Sequence, residues 1–153
     1  IYPNTFRGDR ALYYHNDALN EIFILMEIGR RFGYTPSDEF LSRVEKAIEV
    51  FLNGYENHQF MDKWANEGIN GRVRPGKQQF GTNKFRENPS NSWYYIFIHR
   101  NPDSPLAKRI VEKYKVNNLE RSNSDMMWGL SYKCLYNLVT EQEKTFKMFR
   151  KLD

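Results

Sequence analysis

The chain has 153 residues, a length typical of one domain with a buried core, and its single cysteine excludes an internal disulfide. No apolar run approaches the roughly 20 residues of a membrane-spanning helix, and no signal-peptide pattern opens the sequence. The net charge of +4 favours a polyanionic partner, and the 16% aromatic content suits stacking on sugar rings or on bases.

The first predicted element is a long helix, and charged and aromatic residues are unusually dense where it begins, over residues 7–19. Arg7 and Tyr14 are seven positions apart, close to two helical turns, so we expect them on one face of that helix. An arginine that binds a carboxylate, beside a tyrosine that exchanges a proton, suits an enzyme that cleaves a uronate polymer. The alternative is an ordinary helix start, with solvated arginines and packed tyrosines.

Apolar residues recur around most of this helix, which predicts that it is buried between neighbours and that Gly33 ends it. Residues 35–38, Thr-Pro-Ser-Asp, predict a cap with proline at the first helical position of a second helix. That helix carries a single apolar stripe and is predicted to stop at Asn53-Gly54. The two helices should form an antiparallel hairpin.

Residues 55–89 lack periodicity and are rich in glycine and proline, with a basic middle at 72–80 and the aromatic residues Trp64, Phe80 and Phe85 flanking it. We interpret them as a loop over a binding surface, with a merely solvated loop as the alternative. Further helices are predicted at about 90–98, from Ser104-Pro105 onward, over 126–138 and in a short tail after 140. The sequence thus predicts one all-α domain, residues 1–153, built from antiparallel helical hairpins.

Several common catalytic machineries are absent from the sequence. There is no glycine-rich phosphate loop and no His-Glu-x-x-His motif, and the three histidines are too scattered in sequence to indicate a metal site. Cys134 lies in an apolar run, so we expect an inert thiol rather than a nucleophile. The opening segment is therefore the strongest candidate for chemistry.

That segment resembles a known family. The residues Arg7, Arg10-Ala11-Leu12, Tyr14-His15-Asn16 and Ala18-Leu19 resemble the signature of the polysaccharide lyase family 5 mannuronate-specific alginate lyases. A weaker similarity continues through Pro3-Asn4, Gly76-x-x-Gln79 and Trp93. The resemblance implies an incomplete α/α toroid, cleavage of mannuronate-rich alginate by beta-elimination without a metal or other cofactor, and a periplasmic or secreted location.

The resemblance also implies roles for individual residues. Tyr14 would exchange protons with the uronate, and Arg7 would neutralise its carboxylate. Tyr13 lies where the family varies, so we expect it to pack. Residues expected to support the site or contact the sugar chain are Arg10, His15, Asn16, Lys77, Gln79, Trp93 and Tyr94.

The sequence departs from the family in one respect. Family members carry an earlier Asn-Asn-His-Ser-Tyr-Trp segment that assists neutralisation and proton transfer, and no such segment is present here. We therefore expect a chain that corresponds to the C-terminal half of such a lyase and is weakly active or inactive alone. An uncovered half-toroid groove would favour self-association.

Two other functions remain open. The chain could be a non-catalytic module that binds an anionic glycan, or a basic helical domain that binds nucleic acid. The 19 acidic side chains reduce the positive charge of the surface, which makes nucleic acid the less favoured partner. An acidic polysaccharide is therefore the expected partner, and we expect binding to neither nucleic acid nor a membrane.

Overall fold

The computed structural model describes residues 8–65, 76–80 and 93–114, and these residues form helices and connecting turns with no strand. The all-α class predicted from periodicity is confirmed for them. The predicted helices over 126–138 and after 140, and Cys134, lie outside the described residues. Among the helices described, none is long and apolar enough to cross a membrane. The α-helices are α1 Ala11–Arg31, α2 Asp38–Glu56, α3 Asp62–Ala65, α4 Trp93–Arg100 and α5 Pro105–Tyr114, with 3-10 turns at Gly8–Arg10 and His58–Met61.

Helix α1 ends as the sequence predicts. Gly33 follows the helix with φ of 81°, a left-handed conformation that favours glycine. The Gly33 amide donates to the Arg30 carbonyl (3.1 Å) and the Tyr34 amide to the Gly29 carbonyl (3.0 Å). These two bonds form a Schellman motif, which satisfies carbonyls that the helix end would otherwise leave unpaired.

Helix α2 begins two residues later than the predicted proline start, at Asp38 rather than Pro36. Ser37 is the N-cap, and its hydroxyl accepts a hydrogen bond from the Phe40 amide at 3.3 Å. Pro36 therefore precedes the cap and does not occupy the first helical position. Asp38 and Glu39 lie in the first turn, where carboxylates interact favourably with the helix dipole.

The predicted stop at Asn53-Gly54 is wrong, because α2 continues to Glu56. Gly54 is a buried helical residue, and a Cβ there would lie 2.8 Å from Met61 Cγ and 3.1 Å from Leu12 Cδ1. Glycine therefore permits close packing at this point rather than ending the helix. The predicted irregular segment 55–89 likewise begins with helical structure, since the 3-10 turn His58–Met61 and α3 follow directly.

The core lies where α1 packs against α2 and α4. Phe51 of α2 is fully buried at its centre, with ring centroids 5.5 Å from Trp93 and 5.6 Å from Phe80, both in edge-to-face contact. Phe23 of α1 packs on Trp93 at 6.0 Å. Aromatic rings from three helices and from residue 80 thus form one cluster, which accounts for much of the aromatic content.

Helix α1 is buried on one side only, so the prediction that it is surrounded by neighbours is wrong for its outer face. Leu25, Ile28 and Phe32 are 63%, 43% and 86% exposed. Within the described residues, α2 and α4 cover the opposite side of α1.

Ion pairs join the helix ends around this core. The Glu27 carboxylate, on a side chain only 9% exposed, accepts hydrogen bonds from Arg30 on the same helix and from two nitrogens of Arg100 at the end of α4, at 2.8–3.1 Å. Arg109 of α5 donates to Glu56 at the end of α2. Helix α5 itself begins at Pro105, as predicted.

Candidate functional site

The opening motif divides into a buried part and an accessible part. Arg10 is exposed and Tyr14 is half-buried, and the two lie about one turn apart at the start of α1. Arg7, the predicted partner of Tyr14, lies outside the described residues. The motif residues that are buried in the core are Ala11, Leu12, His15, Asn16, Ala18 and Leu19.

His15 is a structural residue, so its predicted contact with substrate is wrong. It is fully buried, and its Nε2 lies 2.8 Å from the backbone carbonyl of Ala47 on α2. Because the carbonyl can only accept, Nε2 carries the proton and donates. Burial lowers the pKa of His15 and outweighs the opposite effect of this hydrogen bond. A neutral imidazole therefore joins α1 to α2.

Asn16 and Trp93 are also structural, which corrects their predicted roles as sugar contacts. Both side chains are fully buried, and the Trp93 indole Nε1 donates to Asn16 Oδ1 at 2.8 Å. This bond joins α1 to α4 and satisfies the indole within an aromatic cluster. Tyr94, another predicted sugar contact, is 1% exposed and packs against Trp93 and Tyr95. None of these three offers a surface to a polysaccharide.

The accessible residues form a polar group at the N-terminal end of α1. Arg10 Nε donates to Gln79 Oε1 at 3.0 Å, and Gln79 Nε2 donates to the Asp9 carboxylate at 2.7 Å. Within the described residues the two terminal nitrogens of Arg10 have no hydrogen-bond partner. The planar guanidinium of arginine can bind a carboxylate through two such nitrogens. Lys77, two positions before Gln79, is exposed as well, so the structure leaves Arg10, Lys77 and Gln79 accessible. Their contact with a sugar chain stays a prediction.

Tyr13 precedes Tyr14 directly and contacts its ring. Tyr13 is 39% exposed rather than packed, and its ring meets the Tyr14 ring edge-to-face at 5.5 Å. Asp17 chiefly, together with burial and Tyr14, raises the pKa of Tyr13 despite the opposing charge of Arg10. A raised pKa disfavours the phenolate, so Tyr13 is poorly suited to removing a proton.

Sequence reasoning missed Gln78 and His58, which hold residues 76–80 against the start of α1. Gln78 is 8% exposed, and its Oε1 accepts a hydrogen bond from the Leu12 amide at 2.9 Å. The Gln78 amide donates to His58 Nδ1 at 3.2 Å. One feature of the sequence indicates a capping contact from another part of the chain. Arg10 precedes α1 at the position where a serine, threonine, aspartate or asparagine normally caps the helix.

A separate pocket of about 200 Å³ lies between α1, α2 and α4, towards the C-terminal end of α1. Phe23, Met26, Val44 and Phe97 contribute its apolar lining, and Arg30 lies at its polar side. No predicted site residue lines this pocket, so it is distinct from the surface formed by Arg10 and Tyr14.

Comparison with protein-family models, with curated proteins and with solved structures finds no match for this chain. A function for this protein must therefore be inferred from the residues themselves and from the motif resemblance.

Proposed function

We propose that this protein binds an acidic polysaccharide of the mannuronate-rich alginate type and acts on it by beta-elimination, with low activity as this chain. In this proposal it corresponds to the C-terminal part of an incomplete α/α toroid and works in the periplasm or outside the cell. One observation carries the proposal. In the described part of the motif, Arg10 and Tyr14 lie about one turn apart outside the core, on a surface that Asp9, Tyr13 and Asp17 share.

The proposed reaction assigns each group a single task. Arginine neutralises the uronate carboxylate, which stabilises the negative charge that develops when the adjacent carbon loses its proton. The phenolate of Tyr14 takes the proton at C5, the bond between C4 and the glycosidic oxygen breaks, and the phenol returns a proton to that oxygen. Arg10 supplies the arginine among the described residues, and Arg7 takes the same role by family resemblance.

The low activity follows from where the remaining polar motif residues lie. Family lyases use an additional Asn-His segment that this sequence does not contain. His15 and Asn16 cannot replace it, because both side chains are fully buried and are bonded to Ala47 and Trp93. Arginine and tyrosine alone would then provide only part of the neutralisation and proton transfer.

The decisive experiment is incubation with polymannuronate while the ultraviolet absorbance of the unsaturated product is followed. Tyr14→Phe should lower the rate by at least about 100-fold, the usual contribution of a general acid–base group. Tyr13→Phe is the matched control and should retain the rate. The assay includes the protein with any residues its gene encodes upstream of Ile1. Absence of product from that longer protein would refute the elimination reaction.

A second candidate is a glycan-binding module without catalysis. The burial of His15 and Asn16 favours it, because these residues then serve the fold while Arg10 and Tyr14 still contact a sugar acid. Calorimetric titration with oligomannuronate separates the two functions. Binding that Arg10→Gln weakens about tenfold, with no product from any form of the protein, would support the module. Salt-sensitive binding of DNA or RNA in place of the oligosaccharide would support the nucleic-acid alternative.

A further inference from the structure

Helix α1 begins without a capping side chain of its own. Arg10 occupies the N-cap position, and its side chain makes no cap hydrogen bond. The Leu12 amide, one of the first-turn donors without a partner inside the helix, instead donates to Gln78 Oε1. The other end of the same side-chain amide donates to the Gly8 carbonyl at 3.2 Å. Gln78 thus caps a helix that begins 67 positions earlier in the sequence.

Residues 76–80, here called the strap, are fixed to the core at both ends. At one end the Gly76 amide donates to both oxygens of the Asp62 carboxylate, at 2.9 and 3.0 Å. At the other end Phe80 is 2% exposed and packs against Phe51 and Tyr55. Between them the backbone amide of Gln78 donates to His58. The position of Gln78 is therefore determined by the core rather than by α1.

The strap also orients the accessible arginine. Directly after Gln78, the Gln79 amide donates to the Asp9 carbonyl at 2.7 Å. The Gln79 side chain then bonds Arg10 Nε at one end and the Asp9 carboxylate at the other. Gln79 therefore holds Arg10, and the preceding residue, Gln78, caps α1.

We propose that Gln78 is a positioning residue for the surface formed by Arg10 and Tyr14. By capping Leu12 it holds the first turn of α1 in place, and through the strap it keeps the Arg10 guanidinium beside Tyr14. The identification of a polyuronate as the ligand rests on the proposed function, whereas the positioning of Arg10 does not. Gln78 itself is buried and contacts no substrate.

Amide hydrogen exchange measured by NMR tests the inference without a ligand. Gln78→Ala should raise exchange at Leu12 by about tenfold or more, because the amide loses its buried acceptor and the first turn frays. The Arg10 Nε–H signal should also exchange faster, since a displaced strap no longer holds it. Exchange at Leu52 in α2 should stay within twofold, which shows that the variant remains folded.

Two further variants sharpen the result. Gln78→Glu keeps an oxygen acceptor for Leu12 but loses the donor to Gly8, so it should restore most of the Leu12 protection. Gln59→Ala, at an exposed glutamine of the neighbouring 3-10 turn, should change neither signal. Unchanged exchange at Leu12 or at Arg10 Nε in Gln78→Ala would overturn the proposal.

Affinity for oligomannuronate provides the functional readout. Gln78→Ala should weaken binding about tenfold, comparable to removal of the Arg10 charge, and Gln78→Glu should recover most of it. Unchanged affinity, despite faster exchange, would overturn the positioning role. If the unaltered protein does not bind the oligosaccharide, the proposed function fails and the exchange of Arg10 Nε–H alone decides the inference.

Discussion

Asn16→Ala tests whether the buried part of the motif serves the fold or the substrate. The substitution leaves the Trp93 indole N–H without its acceptor in a fully buried site. An unsatisfied buried donor costs about 1–3 kcal/mol, and the small cavity left by the shorter side chain adds about 0.5 kcal/mol. We expect a loss of about 1.5–3.5 kcal/mol in the free energy of unfolding, a large part of the stability of a small domain.

A double-mutant cycle isolates the hydrogen bond from the change in packing. Trp93→Phe alone removes the indole donor to Asn16 Oδ1, whereas the double variant removes both polar partners at once. The double variant should therefore be about 1–2 kcal/mol more stable than the sum of the single losses predicts. Urea unfolding followed by circular dichroism gives all four free energies, including for the variants that lack the indole.

Two results would refute this reasoning. Losses that add to within about 0.5 kcal/mol would mean that the two side chains are not energetically coupled. Alternatively, if folded Asn16→Ala keeps its stability but loses affinity for oligomannuronate, Asn16 contacts the sugar and its burial has been misread. A loss of stability of the expected size would support a structural role for Asn16.

Three further predictions concern stability. Burial lowers the pKa of both His15 and His58, so the free energy of unfolding should fall as the pH drops below about 6.5. The loss is up to about 1.4 kcal/mol per pH unit for each histidine, and it ends where the pH reaches the lowered pKa of that histidine in the folded protein. In denaturant titrations across this range His58→Gln should remove one histidine's share, and an unchanged slope would contradict the assignment. Glu27→Gln leaves two guanidiniums without their carboxylate and should cost about 1–3 kcal/mol in thermal unfolding, whereas an unchanged or higher Tm would show the ion pairs to be dispensable. Gly54→Ala should cost about 1–3 kcal/mol because the added Cβ meets Met61, and the opposite sign, expected from helix propensity alone, would show that Met61 moves aside.

The long helices could be predicted from the sequence because their signals are local. Apolar periodicity gives the course of α1 and α2, Gly33 gives a stop, and Pro105 gives a start. The errors arise where a distant residue determines the outcome. Gly54 resembles a helix end, but it is needed inside α2 because Met61 and Leu12 approach its backbone closely. Such a close approach arises only when the helices pack together, and the periodicity of the sequence does not indicate it.

The candidate site was harder to predict for a related reason. Arg10, Tyr14, His15 and Asn16 are all polar or amphipathic residues within seven positions, and their chemistry alone does not reveal which of them bond to the core. The helical period provides a partial answer, because it places Arg10 and Tyr14 together and directs Leu12 and its neighbours elsewhere. It does not reveal that His15 meets a carbonyl of α2 or that Asn16 meets an indole of α4, since those acceptors and donors come from later in the chain.

The same buried contacts explain how a surface pair could be held for chemistry. His15 fixes the rotation of α1 against α2, and Asn16 fixes it against α4, so the opposite face of the same two turns has a defined direction. Gln78 then fixes the end of the helix from outside. With its rotation and its first turn both constrained, α1 presents Arg10 and Tyr14 at little additional entropic cost when a ligand binds. Loss of any one of these three buried contacts should therefore weaken ligand binding in the folded protein, even though none of the three residues reaches the ligand.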